Sequence, residues 1–412
     1  INYFFPLRRS YSFARMRWDT YLKTAQKITI EFKGDSSLPL LLKQYFRNNK
    51  KHGSTDRRCI SDMVFSYYRL GRNWMQDHPE KRLAIGFYLF SHEAKKAANW
   101  FYERYEIVWH ESKDDRLKEI EKKYGNMPFY RTYDTYKSQD LIALEETVPT
   151  IVEPLFWLHI RPSKWKEIIY ALQEKKIDYI THETYNVLAF KDVKSYNQFI
   201  QWASPYHFLI QDWSTISLLQ NLGEVHEIWD ACAGSGGKAL GIAYRFPKAK
   251  IFASDIRKSI IHKLHERAEG QNINSIFTQI YDLKELPQNL LFSHRKNREK
   301  IYPTSFSQIL LDAPCTGSGT WRREPEKAFF FQIAEISRYG KLQAELIRIL
   351  WPYLDKQGYF DYVTCSVFQM ENEDKIKLFE EIPDAQLIST NYYFDDKGKS
   401  NTLFHLRVKK LD

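Results

Sequence analysis

The chain is poor in cysteine: 412 residues hold four, Cys59, Cys232, Cys315 and Cys365. Their wide spacing excludes the disulfide framework of a small secreted domain, and no Cys-x-x-Cys pair offers a zinc site. A reducing, cytoplasmic setting without a metal is therefore expected. Also missing is any uninterrupted apolar run near the roughly 18 residues a membrane-spanning helix needs, so no membrane is expected. Acidic residues are in the minority, 51 against 61 lysines and arginines, which leaves a formal charge of +10. Such a surplus favours a polyanionic partner such as nucleic acid. What is present is the material of a folded protein, with 43% hydrophobic and 16% aromatic residues, in a chain long enough for two or three domains.

Two apolar runs end abruptly in small and polar residues. Ile309-Leu310-Leu311 stops at Asp312-Ala-Pro-Cys315, and Tyr359-Phe-Asp-Tyr-Val363 stops at Thr364-Cys-Ser366. Runs of this length read as buried strands of a mostly parallel sheet, and ligands of open α/β sheets sit beyond the carboxyl ends of such strands. A lone cysteine there would equally serve as a small buried hydrophobe; two of them, one beside an aspartate, point to a reaction centre. A third run, Ile228-Trp-Asp230, leads into Ala-Cys-Ala-Gly-Ser-Gly-Gly-Lys238, a glycine-rich turn before an apolar helical stretch. Such a turn lets backbone amides approach a ligand, and Asp255, after the next strand, suits a ribose hydroxyl. Turn and aspartate alone would also suit NAD; the paired cysteines, of no use to hydride transfer, decide against it.

Asp230-Ala-Cys-Ala-Gly-Ser-Gly-Gly-Lys238, Asp312-Ala-Pro-Cys-Thr-Gly-Ser-Gly319 and Thr364-Cys-Ser366 together resemble the motifs of the Sun (Fmu) family of RNA cytosine-5 methyltransferases. The resemblance covers roughly residues 150–410 and implies S-adenosylmethionine as cofactor. It implies a Rossmann-like α/β methyltransferase domain, a mostly parallel doubly wound sheet, preceded by a small α+β RNA-binding lobe. By the same resemblance Cys365 is the nucleophile, Cys315 assists release and Asp312 orients the cytosine. Cys232, Ala233, Gly234, Ser235, Gly236, Gly237, Lys238, Asp255, Asp282 and Asp312 hold the cofactor, with Lys238 at its methionine end and Asp282 on the adenine side. Cys315 is the rival nucleophile, because DNA cytosine-5 methyltransferases use a Pro-Cys cysteine; the second cysteine, absent there, favours Cys365. One departure is Gly234-Ser235, where the family usually has Ala-Pro.

The remaining expectations follow chain order. Residues 1–15, basic and without acids, are expected as a disordered or non-native extension ahead of Met16, a transit peptide being the other reading. Residues 16–145 read as helices, with Ser54, Thr55 or Asp56 as an N-cap. Asp56-Arg57-Arg58 before an apolar helix resembles the NusB-like domain of some family members, which makes Arg57 and Arg58 candidate RNA contacts; a solvated helix face is the alternative. Residues 150–206 form the lobe, with a helix capped by Ser163, and residues 207–412 the catalytic domain. Residues 287–305 are expected as a basic loop beside the active face or a neutral insertion. Arg322 and Arg323 are further RNA candidates, or partners of Glu324 or Glu326. Glu371-Asn-Glu-Asp374 is expected to cap a helix. The expected activity is methylation of cytosine in RNA, foremost 16S ribosomal RNA, by a monomer; methylation of tRNA or another RNA, or a non-catalytic assembly factor, are the alternatives.

Overall fold

The computed structural model describes residues 7–72, 77–125, 155–182, 185–394 and 400–412, with side chains from Arg17 onward, Val193 excepted. The chain divides into two compact units, one helical and one α/β. The helical unit contains α1 (Leu7–Glu31), α2 (Leu38–Asn48), α3 (Ser54–Arg69), α4 (Pro79–Phe90), α5 (Ala98–Tyr105) and α6 (Lys113–Tyr124). Helix α1 takes in residues 7–15, which were expected to be disordered. Tyr21, Leu22, Ala25, Ile28 and Phe32 are buried, the spacing of one helix face. α3 and α4 pack backbone-close: a Cβ at Gly86 would lie 2.6 Å from the Ser66 carbonyl oxygen. The N-cap of α3 is Gly53 rather than Ser54, Thr55 or Asp56, because Asp56 stands at the third helical position and accepts the Gly53 amide at 2.8 Å.

This unit has a distant contributor, Trp321–Phe331. Phe329 packs on Tyr68 with ring centroids 5.2 Å apart, and Phe330 on Phe32 at 5.5 Å. Glu326 accepts the Leu38 amide at 3.2 Å, satisfying an orphan donor at the start of α2. Arg72 donates to the carbonyls of Phe329 and Phe331 at 3.1 and 2.9 Å.

The α/β unit begins with a four-stranded antiparallel sheet of order β2-β3-β1-β4. Its elements are β1 (Phe156–Ile160), α7 (Trp165–Glu174), β2 (Ile180–His182), β3 (Val187–Phe190), α8 (Val193–Ile200) and β4 (Phe208–Ile210). β4 pairs with β1 through Ile160 and Phe208, so this sheet runs past residue 206. Ser163 lies in a 3-10 turn and Lys164 is the N-cap of α7.

Then follow α9 (Trp213–Gln220), β5 (Glu227–Asp230), α10 (Gly237–Arg245), β6 (Lys250–Asp255), α11 (Lys258–Gly270) and β7 (Ile276–Ile280). After β8 (Phe292–His294), β9 (Lys300–Ile301) and β10 (Phe306–Asp312) come α12 (Pro325–Phe330), within the helical unit, and α13 (Ala334–Leu350). The chain closes with β11 (Leu354–Thr364), α14 (Asp374–Glu380), β12 (Ala385–Tyr393) and β13 (Leu403–Lys410). Nine strands form one sheet in the order β12-β13-β11-β10-β5-β6-β7-β8-β9. β11, β10, β5, β6 and β7 are parallel, and the sequence order reverses between β5 and β10, where such sheets open a crevice at their carboxyl ends. Adjacent residues along these strands face opposite cores, Leu311 one and Leu310 the other, as a doubly covered parallel sheet requires. The expected doubly wound arrangement is observed.

Residues 287–305 are not a loop beside the cysteines. They build the β8–β9 hairpin, which pairs with β7 at the sheet's edge, four strands from β10 and so about 19 Å away at the usual strand spacing. Among the described residues no helix is long and apolar enough to cross a membrane, and no cluster of three or more His, Cys, Asp or Glu side chains could hold a metal ion.

Asp361 in β11 is fully buried and accepts His405 Nε2 at 2.8 Å, Arg407 Nη1 at 3.1 Å and Gln308 Nε2 at 2.7 Å. Asp361→Ala leaves the buried Arg407 without its carboxylate and is expected to cost about 3–5 kcal/mol in urea unfolding. Phe329→Ala and Phe330→Ala, at half-buried positions, are each expected to cost the helical unit about 3 kcal/mol. Amide exchange should then accelerate in α1 and α3 and not in β5 or β6; unchanged exchange in α3 would contradict this packing role.

Candidate active site

Parallel pairing of β10 with β11 sets Asp312 opposite Val363, so the two strands deliver their cysteines to one place. Cys315 Sγ and Cys365 Sγ lie 3.3 Å apart as free thiols. The Cys315 thiol is pushed well up by its hydrogen bond with Cys365, then by burial and by the negative charges of Cys365 and Glu371. After the neighbouring strand β5, Lys238 in the first turn of α10 places Nζ 2.6 Å from Asp312 Oδ2. Burial works against this ammonium, but Asp312, and behind it Cys365 and Asp230, hold its pKa above the usual lysine value. Lys238 thus faces Asp312 and the cysteines.

Asp230 ends β5 with no exposed surface. Burial first, then Asp312, push its carboxyl up to about 8, with Lys238 and the Ala239 amide opposing. It is thereby kept protonated at neutral pH, and the buried Lys238–Asp312 pair is not overloaded with negative charge. Cys232 is raised as well, mainly by burial and by these carboxylates.

The glycine turn takes its shape from Gly234 and Gly236, both at positive φ of 54° and 81°, a conformation that favours glycine. A Cβ at Gly234 or Gly237 would meet nothing within 4 Å, whereas one at Gly236 would lie 2.8 Å from Leu264 Cγ. The turn is pinned from several sides. Ala233 donates to Ser254 O at 2.8 Å, Arg267 Nη1 donates to Ser235 O at 2.7 Å, and Gln211 Nε2 donates to Gly237 O at 2.7 Å. Asp255 accepts the Gly234 amide at 3.1 Å and is clasped by Arg257 at 2.9 and 3.0 Å. Burial pushes the Asp255 carboxyl up, and the Arg257 hydrogen bonds and charge overcome that and hold it below its usual value. Asp282 follows β7 and accepts the Lys284 amide at 3.0 Å.

The strand ends carry two residues that sequence reasoning missed, Ile256 and Ile280, exposed by 59% and 41%. They follow Asp255 and precede Tyr281-Asp282, on paired strands; exposed isoleucine at the end of a buried strand was the signal. Glu371 was also misjudged. The helix after it, α14, has Glu373 at its N-cap position and no side-chain cap. Glu371 instead turns inward and accepts from Thr316, Ser366 and Gln343. Gly319 is required by close approach: a Cβ there would lie 2.3 Å from Thr402 O and 3.0 Å from Cys365 O.

The predicted RNA contacts all fall in the helical unit. Arg57 donates to His52 O at 2.9 Å and Arg58 pairs with Glu93 at 3.1 Å, both at the surface. Arg322 is a correction: it is only 2% exposed, because its segment is folded into the helical core, so it does not present a guanidinium to solvent. Arg323 is partly exposed.

Residues 217–408 match the family model described as 16S rRNA methyltransferase RsmB/F. A ribosomal RNA small subunit methyltransferase B of Cronobacter sakazakii is 32% identical over 164 residues, covering 40% of this chain and 35% of that protein. The protein of the same name from Salmonella agona is 33% identical over 181 residues, covering 42% and 38%. The matched stretch thus spans little more than a third of those relatives. Among solved structures, PH0851 aligns over 90% of this chain and 94% of its own, with a TM-score of 0.62 at 18% identity. NSun6 from Pyrococcus horikoshii, solved with SFG, aligns over 68% and 97%, with a TM-score of 0.52 at 16% identity. These two likenesses concern the fold. The family match covers both cysteines, Lys238 and the glycine turn, and over residues 217–408 the chain is similar to the RsmB/F methyltransferases.

Proposed function

We propose that this chain transfers a methyl group from S-adenosylmethionine to carbon 5 of a cytosine in RNA, through a transient bond between Cys365 and carbon 6. The observation that carries this reading is the pair of thiols 3.3 Å apart at the ends of adjacent parallel strands. The names of the Cronobacter and Salmonella relatives favour small-subunit ribosomal RNA over tRNA as the substrate.

The chain's own residues suit the cofactor. The open space before Gly234 and Gly237 admits a group that needs backbone amides at close range, as a carboxylate does at a helix N-terminus. Ile256 and Ile280 offer apolar surface for a purine, with Asp255 and Asp282 at the same strand ends for its polar edges and ribose. A ribose at Asp255 would share the carboxylate with Gly234 and displace Arg257, which is itself 62% exposed and free to swing. When bound, S-adenosylmethionine supplies an electrophilic methyl group.

Carbon 5 of cytosine is too weak a nucleophile to take that methyl group unaided. Addition of the Cys365 thiolate to carbon 6 makes the ring an enamine, dividing one hard step into easier ones. Asp312 would meet the N3/N4 edge of the base, and Lys238, 2.6 Å from it, would stabilise the charge there. Once carbon 5 is methylated, its proton passes to water and the carbon–sulfur bond to Cys365 breaks to restore the aromatic ring, with Cys315 assisting this release. Cys315 as nucleophile is the rival; its strongly raised pKa and burial disfavour it, because the thiolate is the attacking form. The base must leave its stack to reach this centre, at least cost in a loop or bulge. Arg57, Arg58 and Arg323 are assigned to RNA phosphates.

Cys365→Ala is expected to lower methyl transfer to RNA at least about a thousandfold. Cys315→Ala should instead accumulate a covalent protein–RNA adduct, seen as a shifted band on a denaturing gel. Wild-type turnover by the Cys365 variant would refute the assignment, and an adduct in that variant would point to Cys315. The same assay run on 16S ribosomal RNA and on tRNA separates the substrates, and no transfer to either would favour a non-catalytic role.

Asp230 adds a pH dependence. Its carboxyl releases a proton near 3.8 when exposed and near 8 when folded, so between these values the folded chain keeps a proton the unfolded chain has lost. Its contribution therefore becomes less favourable as pH rises from 3.8 to 8, and is constant above. Asp230→Asn should gain melting temperature relative to wild type as pH goes from 5 to 8. A difference that does not change with pH would show that Asp230 is ionised in the fold.

A further inference from the structure

Glu371 is a fully buried carboxylate to which the proposed reaction gives no part. It sits in the turn Gln369–Glu371 between β11 and α14, and four donors converge on it. Oε1 accepts the Thr316 amide and Gln343 Nε2, each at 3.0 Å. Oε2 accepts Thr316 Oγ1 at 2.5 Å and Ser366 Oγ. Thr316 follows Cys315 and Ser366 follows Cys365, so one carboxylate grips the residue after each sulfur. Gln343, from α13, also donates to Pro314 O at 2.9 Å, on the other side of Cys315. Burying a carboxylate is expensive unless its lone pairs are satisfied, and here that requirement dictates where both cysteine loops sit. A negative charge this close also opposes ionisation of Cys315, while burial raises Glu371's own pKa and the hydrogen bonds from Ser366, Thr316 and Gln343 counter that rise.

We propose that Glu371 is a positioning residue for the two-thiol centre: it fixes the separation of the sulfurs and places a negative charge beside Cys315. Only the catalytic consequence rests on the methyl-transfer reading; the effect on the sulfurs does not. In Glu371→Gln, the amide oxygen can still accept the Thr316 and Gln343 donors, and the rotatable hydroxyls of Thr316 and Ser366 can accept from its NH2. This variant therefore removes the charge while keeping the connections, whereas Glu371→Ala removes both.

Two measurements on the full chain test the idea without reference to activity. Diamide oxidises a close thiol pair to a disulfide, its N=N bond taking up both protons and both electrons, and peptide mapping reports the Cys315–Cys365 link. Its formation should be at least as fast in Glu371→Gln as in wild type and at least about tenfold slower in Glu371→Ala. Alkylation of Cys315 by iodoacetamide, in a Cys365→Ser background, should be about tenfold faster at pH 8 in Glu371→Gln, because the thiolate fraction of Cys315 rises once the neighbouring charge is gone. If Glu371→Ala does not fold, as a melting curve will show, the alkylation arm alone decides. Unchanged alkylation in Glu371→Gln overturns the charge role, and unchanged disulfide formation in a folded Glu371→Ala overturns the spacing role. In methyl transfer, Glu371→Gln should lose kcat with KM for S-adenosylmethionine within about twofold of wild type. If both thiol measurements respond and kcat does not, the positioning role stands and the two-thiol mechanism falls.

Discussion

Everything at this site depends on the register between two parallel strands. β10 and β11 pair with Leu311 opposite Tyr362 and Asp312 opposite Val363, and beyond these partners each chain leaves the sheet in a short loop. Successive residues of a strand face opposite sides, so a slip of one would turn one cysteine away from the other. The register is held by burial on both faces, since Leu310 and Val363 face one core and Leu311 and Tyr362 the other. It is held also by Asp361, whose carboxylate ties β11 to β10 through Gln308 and to β13 through His405 and Arg407. The sulfur-to-sulfur distance thus rests on interactions spread over three strands.

The pieces of this site with local signatures were legible in the sequence. Continuous apolar runs marked β5, β10 and β11, and the abrupt ends at Asp230, Asp312 and Thr364 marked where the chain leaves the sheet. Glycines at 234 and 236 announced a turn, and the structure gives both a left-handed backbone. What was not legible depends on the partner across space. Glu371-Asn-Glu-Asp374 has the composition of a helix cap, and only the fold reveals that Thr316, Ser366 and Gln343 claim the first of these acids. The basic stretch 287–305 looked like a loop because its strands are three and two residues long, too short for a periodic pattern; pairing with β7 makes them strands.

The helical unit illustrates the same limit more strongly. Its core is assembled from residues 18–120 and from Phe329 and Phe330, which lie some 200 residues further along the chain. From sequence alone, Arg322 and Arg323, following Trp321, read as RNA contacts or as partners of Glu324 or Glu326. Instead Trp321 and Arg322 are buried, and Arg69 donates to the Arg322 carbonyl at 3.0 Å. No periodicity signals that a short helix belongs to a core built from the other end of the chain. Gly34 is the local trace of this arrangement, since a Cβ there would lie 2.7 Å from the Phe330 ring.

The departure from the family's glycine motif has a physical answer in α11. Where the family usually has proline, Ser235 lacks a ring to fix φ, so the turn must be held by tertiary contacts. Arg267 supplies them, donating to Ser235 O at 2.7 Å and to Ser235 Oγ at 3.1 Å. The hydroxyl that replaces the ring is one of the two acceptors, which couples the substitution to the arginine that compensates for it. Burial lowers the pKa of this guanidinium, but arginine stays charged in proteins, so its hydrogen bonds are of the stronger, charge-assisted kind. Stiffness that a proline supplies locally and in the unfolded chain alike is here present only once α11 has packed against the sheet. The glycine turn and the helix behind it must therefore form together, and its glycines are ordered by the fold rather than by the motif.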